Sequence, residues 1–194
     1  MPPSNSPAAN IAFIVEGQTD RFIVETLANK IAEEQPGQPP PRFASVSLSG
    51  SPRVRNIFPT ISALLRKGFD RVIVVFDTDS IDATENDRFV GSLGDQLVRE
   101  GLADRVTLVP IVPEIESWIL ADAETIESTT GHEVSRDPNL KPKQRVQRIL
   151  GTDPGSMERL VRQLRPERIS LRNASFQKFA QSLREALRAS PKAA

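Results

Sequence analysis

The chain has 194 residues, 38% of them apolar and 26% charged, and a formal net charge of zero. That is the balance of one globular domain large enough to bury its own core without a disulfide or metal staple. It contains no cysteine or tyrosine and a single histidine, His132. This excludes disulfides, cysteine–zinc sites, iron–sulfur clusters, a thiol nucleophile and tyrosine transesterification, and leaves one candidate at most for a triad or histidine metal site.

Residues 1–10 are Pro/Ser/Asn/Ala-rich and are expected to form a disordered tail. They lack a basic start and an apolar stretch, so no signal peptide is expected. No apolar run approaches a membrane span, and the expected compartment is the cytoplasm. Residues 11–15 (IAFIV) predict a strand buried on both faces. Gly17 follows, and Thr19 is placed to cap a helix starting at Asp20, with Phe22, Ile23, Leu27 and Ile31 on one face. Residues 35–42 (QPGQPPPR) predict a stiff polar connection, and 43–48 (FASVSL) a second strand. A helical stripe at Ile57, Phe58, Ile61, Leu64 and Leu65 predicts a helix over 54–67, with Pro59 marking a late start or a kink.

Residues 72–76 (VIVVF) predict the clearest strand, followed by a helix carrying Phe89, Leu93, Leu97 and Val98 and ending near Gly101. Residues 106–112 (VTLVPIV) predict a fourth strand, whose Pro110 argues for an edge or a bulge. Helices are predicted at 114–122, 144–150, 157–164 and 176–187. Strand–helix alternation through residue 112 predicts an α/β fold with about four mainly parallel strands flanked by helices. Residues 11–135 read as the α/β domain, and 136–194 as a basic helical extension packed on it. Residues 1–135 carry 11 Lys+Arg against 20 Asp+Glu, a net −9, and residues 136–194 carry 14 against 5, a net +9. Either an anionic partner such as nucleic acid or internal neutralisation accounts for that asymmetry.

Ligands of parallel α/β sheets bind beyond the carboxyl ends of the strands. Three of those exits are acidic: Glu16, then Asp77 and Asp79, then Glu114 and Glu116. Converging carboxylates repel unless they bind cations or stay protonated, and an all-oxygen set selects Mg²⁺ or Mn²⁺. Taken singly, Asp79 or Glu114 could equally be a helix N-cap. A D-x-D after an apolar strand also occurs in phosphatases and glycosyltransferases. The phosphatase pattern ranks low, because here the D-x-D follows the third strand and no Asp-Asp pair exists. Trp118 is expected in the core and His132 at the surface. Arg53 and Arg55, at the second strand's exit, are either phosphate-binding or ordinary surface arginines.

Together, IVEGQTD at 14–20 and FDTD at 76–79, in βα order, resemble the Toprim domain. PEIESWILAD at 113–122 and PNLKPKQRVQRIL at 138–150 are similar to its stand-alone OLD/RloB-like branch, small nucleases of bacterial and phage defence. The resemblance implies a metal-dependent nuclease in which Glu16 is general acid/base or metal ligand and Asp77 and Asp79 hold the metal. It implies that Glu116, and less directly Glu114, complete a second metal position, with Asp20 as the weaker carboxylate of the first motif. Lys143 would face a phosphate. Asp82 and Glu85 continue the acidic loop without an assigned role.

No Walker-type G-x-x-x-x-G-K-[ST] occurs in the sequence, so the ATPase of OLD nucleases would have to be a separate partner. The resemblance thus leaves a small nuclease, or a nucleic-acid- or nucleotide-binding protein without turnover. Lys141, Lys143 and Arg145 lead the candidates for holding a phosphate backbone, with Lys141, Arg145 and Arg148 sharing a helix face if the helix begins that early.

Overall fold

A computed structural model describes residues 8–35, 39–48, 57–78, 82–135, 137–151 and 153–189. Four strands form one all-parallel sheet: β1 (Asn10–Val15), β2 (Arg42–Ser47), β3 (Arg71–Asp77) and β4 (Val106–Ile111). Their order is β2-β1-β3-β4. The chain therefore moves outward from β1 to β2, then crosses to the other side of β1 for β3. That reversal opens a crevice at the carboxyl ends of β1 and β3, where such sheets bind ligands.

The sheet has a core on each face because strand side chains alternate. Ile11, Phe13, Val15, Ile73 and Val75 face one cluster. Ala12, Ile14, Val72, Val74 and Phe76 face the other. Helices α1 (Gln18–Glu33) and α9 (Ala174–Arg188) cover the first face, where α9 meets α1, β3 and β4. Helices α2 (Ile57–Arg66) and α3 (Ala83–Arg99) supply Ile57, Ile61, Leu64, Leu93 and Leu97 to the second. The basic segment thus contributes core: Phe176, Phe179, Ala180, Leu183 and Leu187 are buried in the same cluster as Phe13.

Several local expectations shift. Asn10 belongs to β1, paired with Arg42 and donating its N–H to Asp70 Oδ2 at 3.0 Å. The rest of the expected tail, residues 1–7, lies outside the described residues. Helix α1 starts at Gln18, not at Asp20, and Thr19 is not its cap. Gly17 takes the extended N-cap conformation, and Asp20 reaches back to accept its N–H at 2.8 Å. The Asp20 carboxylate closes this first turn around Gly17, so the helix is already under way at Thr19. Strand β2 runs one residue earlier than expected, and α2 is described from Ile57, with Pro59 in its first turn. Val98 is 67% exposed, because Leu93 and Leu97 take the core side and the next position turns away. Strand β4 is an edge strand, with Pro110 opposite Phe76, and ends before the exposed Val112.

Beyond β4 the helices are α4 (Glu116–Ala121), α5 (Ala123–Thr130), α6 (Pro142–Leu150), α7 (Pro154–Val161) and α8 (Pro166–Arg172), followed by α9. The expected helix over 114–122 ends at Asp122, whose own backbone leaves the helix (φ −101°, ψ 63°) and whose carboxylate caps α5. Helices α5 and α8 were not expected from the sequence. Prolines at the first helical positions of α6 and α7 start those helices earlier than the apolar spacing suggested, and Pro166 likewise opens α8. Trp118 is fully buried, packed edge-on against Phe176 at 5.0 Å, and its indole N–H donates to Ser175 Oγ. Among the described residues, no helix is long and apolar enough to cross a membrane.

Candidate functional site

Glu16 and Asp77 leave the sheet on adjacent strands at the crevice. The Asp77 backbone N–H donates to Glu16 Oε1 at 3.2 Å, a bond between residues 61 apart in sequence. Ser47 Oγ donates to the Glu16 carbonyl at 2.9 Å, anchoring the β1 exit to β2 as well. The turn into α1 is held by the Gly17–Asp20 bond, so the exit that carries Glu16 is fixed on both sides.

These residues open into a cleft of about 400 Å³ lined by Glu16, Asp20, Asp77, Glu114, Glu116 and Lys143. Glu116 enters from the first turn of α4 and is 8% exposed. Burial pushes its carboxyl above the usual carboxylate range. Its own backbone N–H works against that rise, as does Lys143, while the neighbouring charges of Glu114 and Asp20 add to it. Glu114 is drawn to a second role: its Oε2 accepts the backbone N–H of Lys143 at 3.1 Å. It thereby caps α6 from 29 residues away. That bond places Lys143 at the cleft mouth.

Glu16, Asp77, Glu114, Glu116 and Lys143 are therefore brought together from four separate segments. Asp79, Arg53 and Arg55 lie outside the described residues. Asp82 caps α3 by accepting the N–H groups of Thr84 and Glu85, and Glu85 is exposed in that first turn. Among the described residues, no group of three or more carboxylate or imidazole side chains is already gathered as a metal cage. The donor set nonetheless suits a hard divalent cation. It is all oxygen and net negative, and it includes a buried carboxylate that ionises at a cost unless a cation is near.

The basic residues do not form one strip. Lys141 is the N-cap residue of α6, Lys143 faces the acidic cleft, and Arg145 lines a different recess with Glu124, Glu127 and Arg172. The Arg145 Nε is buried without a hydrogen-bond partner. Other arginines of the C-terminal part pair with acids of the N-terminal part: Arg168 with Asp122, Arg172 with Glu124 and Arg184 with Glu34. Internal neutralisation thus takes up part of the charge asymmetry. His132 is exposed in the loop after α5.

The acidic cleft continues into a second recess that no sequence pattern announced. It shares Gln18, Thr19, Glu116 and Lys143 with the cleft, and Phe22, Val146, Leu150 and Met157 form its apolar part. Only tertiary packing, with α7 against α1 and α6 against α4, creates it, so no local spacing could have revealed it.

A family model described as a domain of unknown function, DUF4276, matches residues 15–184. The chain belongs to the DUF4276 family. The DUF4276 match begins at the last residue of β1 and runs into α9, so it takes in Glu16, Asp77, Glu114, Glu116 and Lys143 together. No curated protein and no solved structure is significantly similar to the chain.

Proposed function

We propose that this DUF4276 protein is a metal-dependent phosphodiesterase acting on DNA or RNA, with Mg²⁺ or Mn²⁺ as cofactor. The observation that carries the reading is the Asp77–Glu16 bond at the switch point of the sheet, in a cleft whose described lining holds five carboxylates. The resemblance of the same segments to the Toprim motifs supports it. Glu16 and Asp77 would hold the metal together with Asp79, and Glu116 and Glu114 would offer a second position. A bound ion of this kind activates water and stabilises the leaving oxygen of a phosphodiester.

The chain's own residues do the rest. Asp20 and Ser47 hold the β1 exit, and so fix where Glu16 can exchange a proton or bind. Lys143 offers a positive charge to a substrate phosphate that the carboxylates alone would repel. Glu114, by capping α6, keeps that lysine at the cleft. A cytoplasmic setting and a role in defence against phage belong to this proposal as well.

A Mg²⁺ titration read by thermal melting, paired with cleavage assays on single- and double-stranded DNA and RNA, tests it. Mg²⁺ should raise the melting temperature of the wild type and not that of Asp77→Ala, which should fold and fail to cleave. Absence of both the Mg²⁺ shift and cleavage in the wild type refutes the reading. A second reading is a nucleotide- or nucleic-acid-binding protein without turnover, dependent on a partner ATPase. The apolar recess that shares Glu116 and Lys143 with the cleft favours it, since it offers a nucleotide a seat that requires no turnover. It predicts a Mg²⁺ shift with no cleavage by the chain alone.

A further inference from the structure

We propose that the apolar recess beside the acidic cleft seats one unpaired nucleobase, so that the substrate is a single strand or a frayed end, not an intact duplex. This deepens the phosphodiesterase reading and rests on it for the position of the phosphate.

Three features carry the inference. The first is continuity: the recess, about 400 Å³, shares Glu116 and Lys143 with the acidic cleft. A phosphate at Lys143 would therefore have a small-molecule-sized cavity on one side and the carboxylates on the other. The second is the junction itself. Glu116 is 8% exposed, lines both cavities, and receives no hydrogen bond or ion pair from another described residue. A buried carboxylate in that condition is a poor structural element but a usable contact for a bound cation or a ligand donor.

The third feature is the composition of the recess. Phe22, Val146, Leu150 and Met157 make an apolar floor, and the Arg162 guanidinium lies 5.3 Å over the Phe22 ring and braces it. Methionine's polarisable thioether favours an aromatic face over a plain alkyl chain. Gln18 and Gln147 also line the recess. An aliphatic occupant would strip water from those amides without replacing its hydrogen bonds, whereas a base offers donors and acceptors on its edge. Bases within a duplex are stacked and cannot enter such a recess, so the base must be unpaired.

The chain has two methionines, Met1 and Met157, so ¹³C-methyl labelling of methionine places one reporter in the recess. The full-length protein is titrated with adenosine 5′-monophosphate, ribose 5-phosphate and decanoate, without metal and then with Ca²⁺. The Met157 methyl should move upfield with the nucleotide through the base's ring current. It should respond to ribose 5-phosphate with an affinity about 5- to 150-fold lower, the stacking contribution of a base being ~1–3 kcal/mol. Leu150→Glu should abolish the nucleotide response. The three-ligand comparison on the wild type stands whether or not that variant folds.

No Met157 response to the nucleotide, an equal response to ribose 5-phosphate, or tighter binding of decanoate overturns the proposal. The metal reading is judged separately by the Mg²⁺ thermal shift and its loss in Asp77→Ala. A silent Met157 with that shift intact removes the base recess alone. A responding Met157 without the shift keeps the recess and removes the metal reading.

Discussion

Replacing Asp122 with alanine should be among the most destabilising single changes at a polar position in this protein. Its carboxylate is fully buried and ends α4, the helix that begins with Glu116. It accepts the Thr125 N–H at 3.3 Å, the Arg165 N–H at 2.9 Å and the Arg168 guanidinium at 3.5 Å, joining α4, α5 and α8. Loss of the α5 cap costs about 1 kcal/mol. Loss of a charged acceptor for a part-buried N–H costs ~2 kcal/mol. The Arg168 contact is discounted to under ~1 kcal/mol, because that side chain is 34% exposed and can rehydrate. The total of about 3–4 kcal/mol corresponds to a melting-temperature loss of roughly 10 °C at this chain length.

Urea unfolding followed by the fluorescence of the single tryptophan, buried Trp118 on the same helix, measures it directly. Arg168→Ala should lose less than ~1 kcal/mol. Asp122→Asn should fall between the two, because its amide oxygen can still accept the Thr125 and Arg168 donors that share Oδ1, while its NH₂ is turned toward the Arg165 N–H. A loss below ~1 kcal/mol for Asp122→Ala, or an equal loss for Arg168→Ala, would refute the assignment of a buried three-element clasp.

Other outcomes follow from the charges. Burial raises the Glu116 carboxyl, so its ionised form destabilises the native state. Glu116→Gln should therefore melt higher than wild type in metal-free buffer at neutral pH, with the gain vanishing in acid, where both side chains are neutral; melting curves across pH decide it. The hydrogen-bonded Arg172 guanidinium, aided by the Glu124 backbone N–H, lowers Glu124 to about 2. The stability from that pair is full above the ordinary glutamate range and is lost as pH falls from about 4.5 toward 2. In Arg172→Ala most of that loss should disappear from the acid limb of the melting profile. If Lys141, Lys143 and Arg145 all touch a nucleic-acid backbone, replacing the three together should flatten the salt dependence of binding by about three contacts. The separation of Lys143 from Arg145 predicts a smaller change, near one or two contacts. A fluorescence-anisotropy salt series on the triple variant distinguishes these.

What the sequence determined alone was whatever depends on near neighbours. The apolar β-branched runs at 11–15 and 72–76 are strands because a segment buried on both faces must pair all its backbone groups, and the βα alternation makes them parallel. It follows that Glu16 and Asp77 stand at the same sheet end, since residues just past parallel strands emerge together. Trp118 was legible as core from its spacing to Ile115 and Ile119.

The tertiary structure decided what depends on contacts distant in sequence. Asp122 looked like a helix-ending residue, and only the approach of α8 gives its carboxylate the Arg165 N–H and the Arg168 guanidinium. Glu114 looked like a ligand or a local cap, and becomes the cap of α6 because α4 and α6 pack together. Arg145 looked like a partner of Lys141 and Lys143 on a phosphate-binding surface. The helix begins at Pro142, and its packing turns Arg145 to a recess away from Lys143. Periodicity assigns a residue to a helix face, but which face meets which neighbour is set by the closure of the whole core.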